Sequence, residues 1–335
     1  MIARAWARRT IVLLFLFIAV PAVYAQPEAA QHEAAQPEAD PWGFAGEEEA
    51  EPALAEHLAD QWVDVALFLG FAALTMAGFL RKDDRIHLVT LVAAFAYLGL
   101  YKSEIISIVN VFSIFTLNLP IFAYNIEWYA FAVFTLGTTL LWGRVYCGRV
   151  CAFGALTQLI DRVVPARLQW RVPRVLERRA GYVKYGILVG AIAYYLVTRD
   201  IGVRRYVEPF SMFSLQETAL FWAGVGVLLI VSVFVRNFYC RFFCPVGAFL
   251  GVIAQATTVF RIKRWSECST CRICEKACEW GAIRGETIIR SECVRCDDCE
   301  RLYDDTKKCP HWVIIQRKAD IMARQSAAPV AQGAP

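Results

Sequence analysis

Five long apolar segments constrain this chain more than any other feature of its sequence. Each approaches the roughly 20 residues that an α-helix needs to cross a bilayer. Hydrophobic residues make up 57% of the 335-residue chain and charged residues 20%, against about 45–50% and 25% in soluble domains. The sequence therefore predicts an α-helical polytopic membrane protein with about five spans, at residues 62–80, 86–101, 127–143, 182–198 and 218–235.

A further apolar stretch, residues 103–122, is interrupted by Pro120 and by polar side chains. Proline in a helix interior removes a backbone hydrogen bond and kinks or breaks the helix. We therefore interpret this stretch as a periplasmic amphipathic or re-entrant piece rather than a sixth span. The transmembrane bundle is expected to occupy residues 62–260.

The N-terminal residues have the pattern of a secretory signal peptide, predicted over residues 1–25. Three arginines precede the apolar run Ile11 to Val20, and Val23-Tyr24-Ala25 is typical of a cleavage site. An uncleaved anchor is the alternative. Residues 26–61 are acidic and rich in Ala, Glu and Pro, which predicts a disordered periplasmic linker. Residues 317–335 are predicted to form a disordered tail.

The connection between the third and fourth apolar segments orients the bundle. Residues 144–181 contain eight arginines, but their only acidic residues are Asp161 and Glu177. Loops with an excess of Lys and Arg stay in the cytoplasm. This places the exported linker in the periplasm and everything after residue 236 in the cytoplasm. The predicted location is the bacterial inner membrane, crossed several times.

Eight cysteines near the C-terminus form two runs with the spacing of two-cluster bacterial ferredoxins. The first run is Cys-x2-Cys-x2-Cys-x3-Cys and the second is Cys-x2-Cys-x2-Cys-x9-Cys. In such ferredoxins the fourth cysteine of each run binds the other cluster. The prediction is two [4Fe–4S] clusters, whose irons are bound by Cys268, Cys271, Cys274 and Cys309 in cluster 1 and by Cys278, Cys293, Cys296 and Cys299 in cluster 2.

Zinc and disulfides are the competing interpretations of these runs. Zinc sites also use Cys-x2-Cys pairs, but eight cysteines in two such runs are unusual for zinc. The reducing cytoplasm disfavours disulfides. Residues 261–316 are therefore predicted to be a ferredoxin-like α+β module that needs its clusters to fold. Glu279 stands where a proline usually follows the fourth cysteine, which affects the local turn but removes no ligand.

The other four cysteines belong to an internal repeat, in which YCGRVCAFGA at residues 146–155 matches YCRFFCPVGA at residues 239–248. A spacing of i, i+4 would place both thiols of a pair on one helical face. One interpretation is a redox dithiol or metal site at the membrane surface. The other is small buried thiols at a packing turn. The sequence alone leaves both open for Cys147, Cys151, Cys240 and Cys244.

These motifs resemble the membrane and ferredoxin portion of the NosR/NirI family of polytopic iron–sulfur proteins. The resemblance covers residues 84–313 and depends on four segments, which are WGRVYCGRVCAFGAL, the VEPF loop at 207–210, YCRFFCPVGAFLG and CERLYDDTKKCPHW. The quinol dehydrogenase subunit of periplasmic nitrate reductase and the cupric reductase of oxidase assembly are more distantly similar. Long family members also carry a periplasmic flavin domain. Its Ser/Thr-Gly-Ala-Thr motif is absent here, so covalent FMN is not expected.

The resemblance implies a membrane-bound electron-transfer component of denitrification, of the nitrous-oxide reductase type. It would link the cytoplasmic clusters through the membrane to a quinol or to a periplasmic metalloenzyme, rather than act as a stand-alone enzyme. A quinol-linked oxidoreductase is left open, and so is quinone as a further cofactor. Expected partners are the lipid bilayer, the quinol pool or a cytoplasmic electron donor, and a periplasmic or membrane redox protein. Direct nucleic-acid binding is not expected.

Two alternatives belong to other functional classes. The first is a redox-sensing regulatory or assembly factor that turns over no substrate. The second is a copper reductase acting through the two cysteine pairs.

The predicted orientation has a direct test. A reporter that is active only in the periplasm should be active when fused near residue 55 or 205. It should be silent when fused near residue 165 or after 315, because the arginine-rich connection retains that side in the cytoplasm. Activity of the fusion after residue 315 would contradict this orientation.

Overall fold

The computed structural model describes residues 54–103, 105–116, 125–165, 167–170, 172–215, 217–259, 262 and 271–327. The predicted signal peptide, most of the predicted linker and Cys268 lie outside the described residues. Helices dominate the rest.

All five apolar segments form helices, and four of these helices agree with their predicted bounds to within two residues. The helices are α1 (Leu54–Arg81), α2 (Asp84–Ala94, which continues as a π-helix over Phe95–Tyr101), α4 (Ile126–Trp142), α8 (Val183–Thr198) and α10 (Ala219–Phe234). The first begins at Leu54, inside the range predicted as linker, where Leu, Ala and Glu favour helix. By length and composition, two described helices suffice to cross a membrane, Gln61–Arg81 and Val175–Thr198; shorter apolar helices cover Ala219–Phe234 and Pro245–Ala256.

The segments between these helices fold as short pieces. Within the stretch predicted to be amphipathic or re-entrant, residues 108–116 form α3 (Ile108–Thr116), which at about 1.5 Å per residue is too short to span. On the same side, residues 201–214 form α9 (Arg204–Val207) between two 3₁₀ turns. Both pieces lie at the bundle end where α4 and α10 begin. Between α6 and α8 lies α7 (Arg174–Ala180).

Each copy of the internal repeat folds as a short helix, a break and a second helix. The first copy forms α5 (Val145–Arg149) and α6 (Ala152–Val163). The second forms α11 (Phe238–Phe242) and α12 (Pro245–Ile253). The expectation of one continuous helical face is wrong, because Cys151 and Cys244 have extended backbones and serve as N-caps of the second helices. The Cys244 Sγ accepts a hydrogen bond from the Gly247 amide at 3.2 Å.

Residues 271–309, hereafter the C-terminal unit, form a small α+β arrangement. Helix α13 (Ile273–Ala277) precedes an antiparallel hairpin of β1 (Ile283–Arg284) and β2 (Thr287–Ile288), followed by α14 (Asp298–Asp304). After the unit, α15 (Pro310–Ala327) continues through the first part of the predicted disordered tail.

Ion pairs hold the C-terminal unit against one end of the bundle. They involve the end of α1, the start of α2, the repeat segment after α4, the start of α8 and the second residue after α10. The pairs are Lys82–Glu300, Arg301–Asp84, Arg149–Asp297, Lys184–Glu292 and Arg236–Glu279. The C-terminal ends of α1, α4 and α10 and the N-terminal ends of α2 and α8 therefore face the same unit. This is the arrangement of an up-and-down bundle.

The Arg149–Asp297 pair is the most enclosed of these contacts, with Nη2 to Oδ2 at 2.7 Å and both side chains almost fully buried. We expect Arg149→Met to lower the apparent Tm of the detergent-purified protein by on the order of 10 °C, because it leaves a buried carboxylate without its partner. The matched control is Arg162→Met, whose partner Asp84 is 60% exposed and which should cost at most about 1 kcal/mol. Equal losses of Tm in the two variants would contradict a stabilising role for the Arg149–Asp297 pair.

Candidate functional site

The four cysteines predicted to share cluster 2 lie around one small cavity of about 20 Å³. Three of them come from the second run, and Cys278 comes from the first run. Trp280, Ile283 and Val294 supply apolar walls. The fold therefore brings the fourth cysteine of one run to the first three of the other, the pairing that two-cluster ferredoxins use.

The cysteines predicted to share cluster 1 are only partly described. Cys274 and Cys309 are buried and Cys271 is half-buried, while Cys268 lies outside the described residues. The Cys274 Sγ is 4.0 Å from the carbonyl oxygen of Cys299, so the two runs are in contact. Among the described residues, no three His, Cys, Asp or Glu side chains converge as ligands of a single ion.

The two cysteine pairs of the repeat come together at the end of the bundle that faces the C-terminal unit. Each thiol of the second pair lies within electrostatic range of both thiols of the first pair. Three of the four thiols are buried, and Cys147 is half-buried. We refer to Cys147, Cys151, Cys240 and Cys244 as the thiol quartet.

Burial dominates the acid–base behaviour of the three buried thiols, Cys151, Cys240 and Cys244. It raises the pKa of Cys151 to about 12, with a smaller contribution from Cys147. It also raises the pKa of Cys240 and Cys244 well above the ordinary thiol value. Buried thiols without a cation are therefore protonated and inert, and a bound metal would have to displace their protons.

Arg144 places a buried positive charge beside the quartet. Its Nη2 is 3.6 Å from the Cys147 Sγ, and its Nη1 donates to the Ser291 carbonyl at 2.8 Å. Nearby, Lys184 pairs with Glu292, which also lies 4.0 Å from Arg144. Two buried cations therefore share one carboxylate, and the Arg144 Nε has no hydrogen-bond partner.

This surplus of positive charge bears on whether the quartet could hold a metal centre. A buried cation is costly unless an anion compensates it. Four thiolates around an iron–sulfur cluster carry net negative charge, whereas four protonated thiols carry none. The charge of Arg144 and the donor set of four cysteines therefore fit an anionic thiolate-bound centre.

The quartet and the cluster 2 loop are in direct backbone contact. A Cβ added at Gly148 would lie 2.3 Å from the Val294 carbonyl oxygen, so only glycine fits between Cys147 and the loop that carries Cys293 and Cys296. The next residue, Arg149, reaches Asp297 in the same loop. The first copy of the repeat thus joins the thiol quartet to the predicted cluster 2 ligands.

Sequence reasoning missed the two buried arginines of the first repeat copy. Arg144 and Arg149 contributed only to the count of positive charges in the connection. The available signal was their position, because they flank Cys147 in a segment that is otherwise apolar. Two arginines beside a cysteine pair indicate either solvent exposure or a buried anion, and the structure has both side chains buried.

Both the repeat and the C-terminal cysteine runs match known protein families. A family described as "4Fe-4S binding domain" matches residues 124–171 and 218–265, which contain one cysteine pair of the quartet each. A family described as "NosR" matches residues 266–320, which contain both ferredoxin-type runs. Each copy of the repeat predicted from the sequence thus lies within a match to this family.

Among similar proteins, regulatory protein NosR of Pseudomonas aeruginosa is 33% identical over 255 residues, 71% of this chain and 35% of that protein. Regulatory protein NosR of Stutzerimonas stutzeri is 30% identical over 286 residues, 79% of this chain and 38% of that protein. Protein NirI of Paracoccus denitrificans is 34% identical over 201 residues, 57% of this chain and 29% of that protein. The chain thus spans about a third of the length of these relatives. No solved structure matches it.

The contact at Gly148 is testable by substitution. Gly148→Ala should push the cluster 2 loop away and increase amide hydrogen exchange over residues 291–297, because the added Cβ clashes with backbone that cannot rotate aside. Gly137→Ala is the matched control, since its Cβ would have no atom within 4 Å. Unchanged exchange in the Gly148 variant would show that the loop does not pack on the quartet.

Proposed function

The chain belongs to the NosR/NirI family, and we propose that it is a membrane-bound electron-transfer protein. It is an iron–sulfur protein. In the proposed function, it links cytoplasmic [4Fe–4S] clusters through the membrane to the quinol pool or to a periplasmic metalloenzyme system of the nitrous-oxide reductase type.

The observation that carries this proposal is the contact between the thiol quartet and the cluster 2 loop. Cluster 1 would be held by Cys268, Cys271, Cys274 and Cys309, and cluster 2 by Cys278, Cys293, Cys296 and Cys299. The quartet would hold a third iron–sulfur centre. When bound, such centres supply one-electron redox chemistry.

The side chains around these sites position and insulate them. Arg144 provides the compensating charge for the quartet, and its hydrogen bond to Ser291 ties that charge to the C-terminal unit. Arg149 provides the same compensation near Cys296, whose thiol lies within electrostatic range of the guanidinium. Val294 and Trp280 would exclude water from a cluster held by the four cysteines beside them, since both are nearly fully buried.

The same ion pairs support the predicted location. The bundle end that contacts the C-terminal unit is the end with the arginine-rich connection. If that connection is cytoplasmic, the C-terminal unit is cytoplasmic and the opposite bundle end faces the periplasm. We propose this orientation in the inner membrane.

A regulatory role is the second candidate, and it is favoured by the similarity to the NosR relatives, which are named as regulatory proteins. A redox sensor would change state with the quinol pool and transfer no electrons to an acceptor during turnover. A copper reductase acting through the quartet is the third. Steady-state oxidation of a quinol analogue would separate the first candidate from the second. Copper binding that depends on all four quartet cysteines would favour the third.

Replacement of the quartet by serine tests the proposal most directly. In anaerobically purified protein, the Cys147→Ser/Cys151→Ser/Cys240→Ser/Cys244→Ser variant should retain about eight irons, those of two ferredoxin-type cubes. It should lose the additional iron of the wild type and also the partner activity per cluster-loaded molecule. Ala155→Ser, which places a hydroxyl at a buried position next to the quartet, is the control and should lose neither. If the quadruple variant had the same iron content and the same normalised activity as the wild type, the quartet would have only a packing role.

Cluster 1 has an independent test, since its first ligand lies outside the described residues. Cys274→Ala should remove the signal of one cube from the EPR spectrum of the reduced protein and leave the other. A complete two-cluster spectrum from this variant would contradict the ligand assignment.

A further inference from the structure

A cavity of about 400 Å³ lies at the bundle end opposite the C-terminal unit. Its walls come from the segment before α3, the first turns of α4 and the segment around α9. Trp128, Phe131 and Ile201 provide rings and aliphatic surface, and Ser107, Asn110 and Arg204 provide polar groups. This volume and this mixture are typical of a small-molecule site.

A buried carboxyl stands directly behind the polar wall of the cavity. Glu208 is 4% exposed. It accepts hydrogen bonds from the Ser107 hydroxyl and from the Ile108 amide, the latter at 2.7 Å. Because Ser107 also lines the cavity, its hydroxyl is the bridge between a ligand there and Glu208. Burial raises the pKa of Glu208 to about 7, against the lowering effects of these two hydrogen bonds and of Arg204.

The cavity is also connected to the thiol quartet. Phe131 lines the cavity and packs edge-on against Tyr146, with ring centroids 5.9 Å apart. The Tyr146 hydroxyl accepts a hydrogen bond from the Ile106 amide at 3.0 Å, and Tyr146 immediately precedes Cys147. On the other side, the Tyr239 hydroxyl donates to the Val207 carbonyl at 2.9 Å. The residue before each cysteine pair therefore reaches the wall of the cavity or the loop behind it.

On the premise that the protein takes electrons from a quinol, we propose that this cavity binds the hydroxylated ring of the quinol, with Ser107 in its wall and Glu208 behind Ser107 as the proton acceptor. A flat ring with two hydroxyl groups matches a cavity that has aromatic walls and polar groups on one side. The buried carboxyl distinguishes this ligand from an inert lipid tail, which needs no proton acceptor.

The proton passes from the ring to Glu208 through Ser107. A ring hydroxyl donates to the Ser107 oxygen, and the Ser107 hydroxyl donates to the Glu208 carboxylate. When the proton moves, the ring O–H bond breaks, Ser107 exchanges one proton for another, and an O–H bond forms on Glu208. No electron moves in this step. The ring oxygen gains a negative charge, which the guanidinium of Arg204 at the cavity wall stabilises.

The first measurement needs no variant. The full-length protein in lipid nanodiscs is irradiated with a photoreactive azidoquinone, and the labelled peptides are identified by mass spectrometry. Labelling should fall within residues 105–110 or 126–131 and should be displaced by an unlabelled short-chain quinone. Displaceable labelling confined to other segments would overturn the assignment.

The second measurement is the affinity of a reduced short-chain quinone for cluster-loaded protein. Ser107→Ala and Glu208→Gln should each weaken binding about tenfold, the loss expected when one hydrogen bond is lost or weakened. Val109→Trp, which fills the cavity, should abolish it. Glu217→Gln is the matched control, since that carboxyl pairs with Arg205 and does not line the cavity. Wild-type affinity in Ser107→Ala and Val109→Trp would overturn the proposal.

The affinity should also depend on pH in a defined direction. Above about pH 7 Glu208 is a carboxylate and accepts the Ser107 proton; below it Glu208 is protonated and the acceptor is lost. Quinol affinity should therefore fall as the pH drops through 7, and Glu208→Gln should remove that dependence. Arg204, Tyr239 and Cys244 are the charged or titratable groups within electrostatic range of Glu208, and burial raises the pKa of both Tyr239 and Cys244 further away from this pH. A pH dependence retained in Glu208→Gln would exclude Glu208 as the acceptor.

Failure of this proposal is distinguishable from failure of the proposed function. If quinol reduces the clusters of the wild type and of Val109→Trp equally, the protein is a quinol-linked carrier whose site lies elsewhere, and the cavity assignment is overturned. If quinol binds the cavity with the expected losses but never reduces the clusters, the cavity assignment stands and the electron-transfer function does not.

Discussion

The close contact between Gly148 and the Val294 carbonyl is the constraint on which the site depends. It sets a repeat segment at the end of the bundle directly on the loop that carries Cys293 and Cys296. A side chain of any size at position 148 would force these two elements apart. The second copy of the repeat has Arg241 at the equivalent position, so only the first copy can lie against this loop. A difference of one side chain between the two copies thus decides which of them meets the C-terminal unit.

Buried positive charge completes this contact. Arg144 and Lys184 share Glu292, and Arg149 pairs with Asp297. Such charges are expensive to bury and are retained where an anion compensates them. The carboxylates compensate only part of the charge near the quartet, and an anionic thiolate centre would compensate the rest. The same network fastens the C-terminal unit to the bundle, so loading of the centre and docking of the unit are expected to stabilise each other.

The two ends of the bundle have different proposed roles, cluster binding at one end and quinol binding at the other. At one end the thiol quartet meets the ferredoxin-type cysteines. At the other, segments around α3 and α9 enclose a cavity with a carboxyl behind it. Tyr146 and Tyr239, each one residue before a cysteine pair, connect the two ends through hydrogen bonds to Ile106 and Val207. This arrangement explains why the repeat begins with tyrosine in both copies, since a phenylalanine would fill the same space and leave these backbone groups unpaired.

The sequence by itself determined the helical segments, the repeat and the cysteine spacing, because each is a local pattern. Apolar length specifies a helix, and Cys-x2-Cys-x2-Cys places three thiols on one loop wherever that loop lies. The meeting of the two cysteine pairs, the burial of Arg144 and Arg149 and the position of Glu208 behind Ser107 were decided by the tertiary structure. These features join residues about 80 to 150 positions apart, such as Cys147 with Cys240 and Arg149 with Asp297. The helix break between the two cysteines of each pair also could not be predicted from the sequence. An i, i+4 spacing places two residues on one helical face only where the backbone stays helical. Here the second cysteine of each pair is instead the N-cap of a new helix.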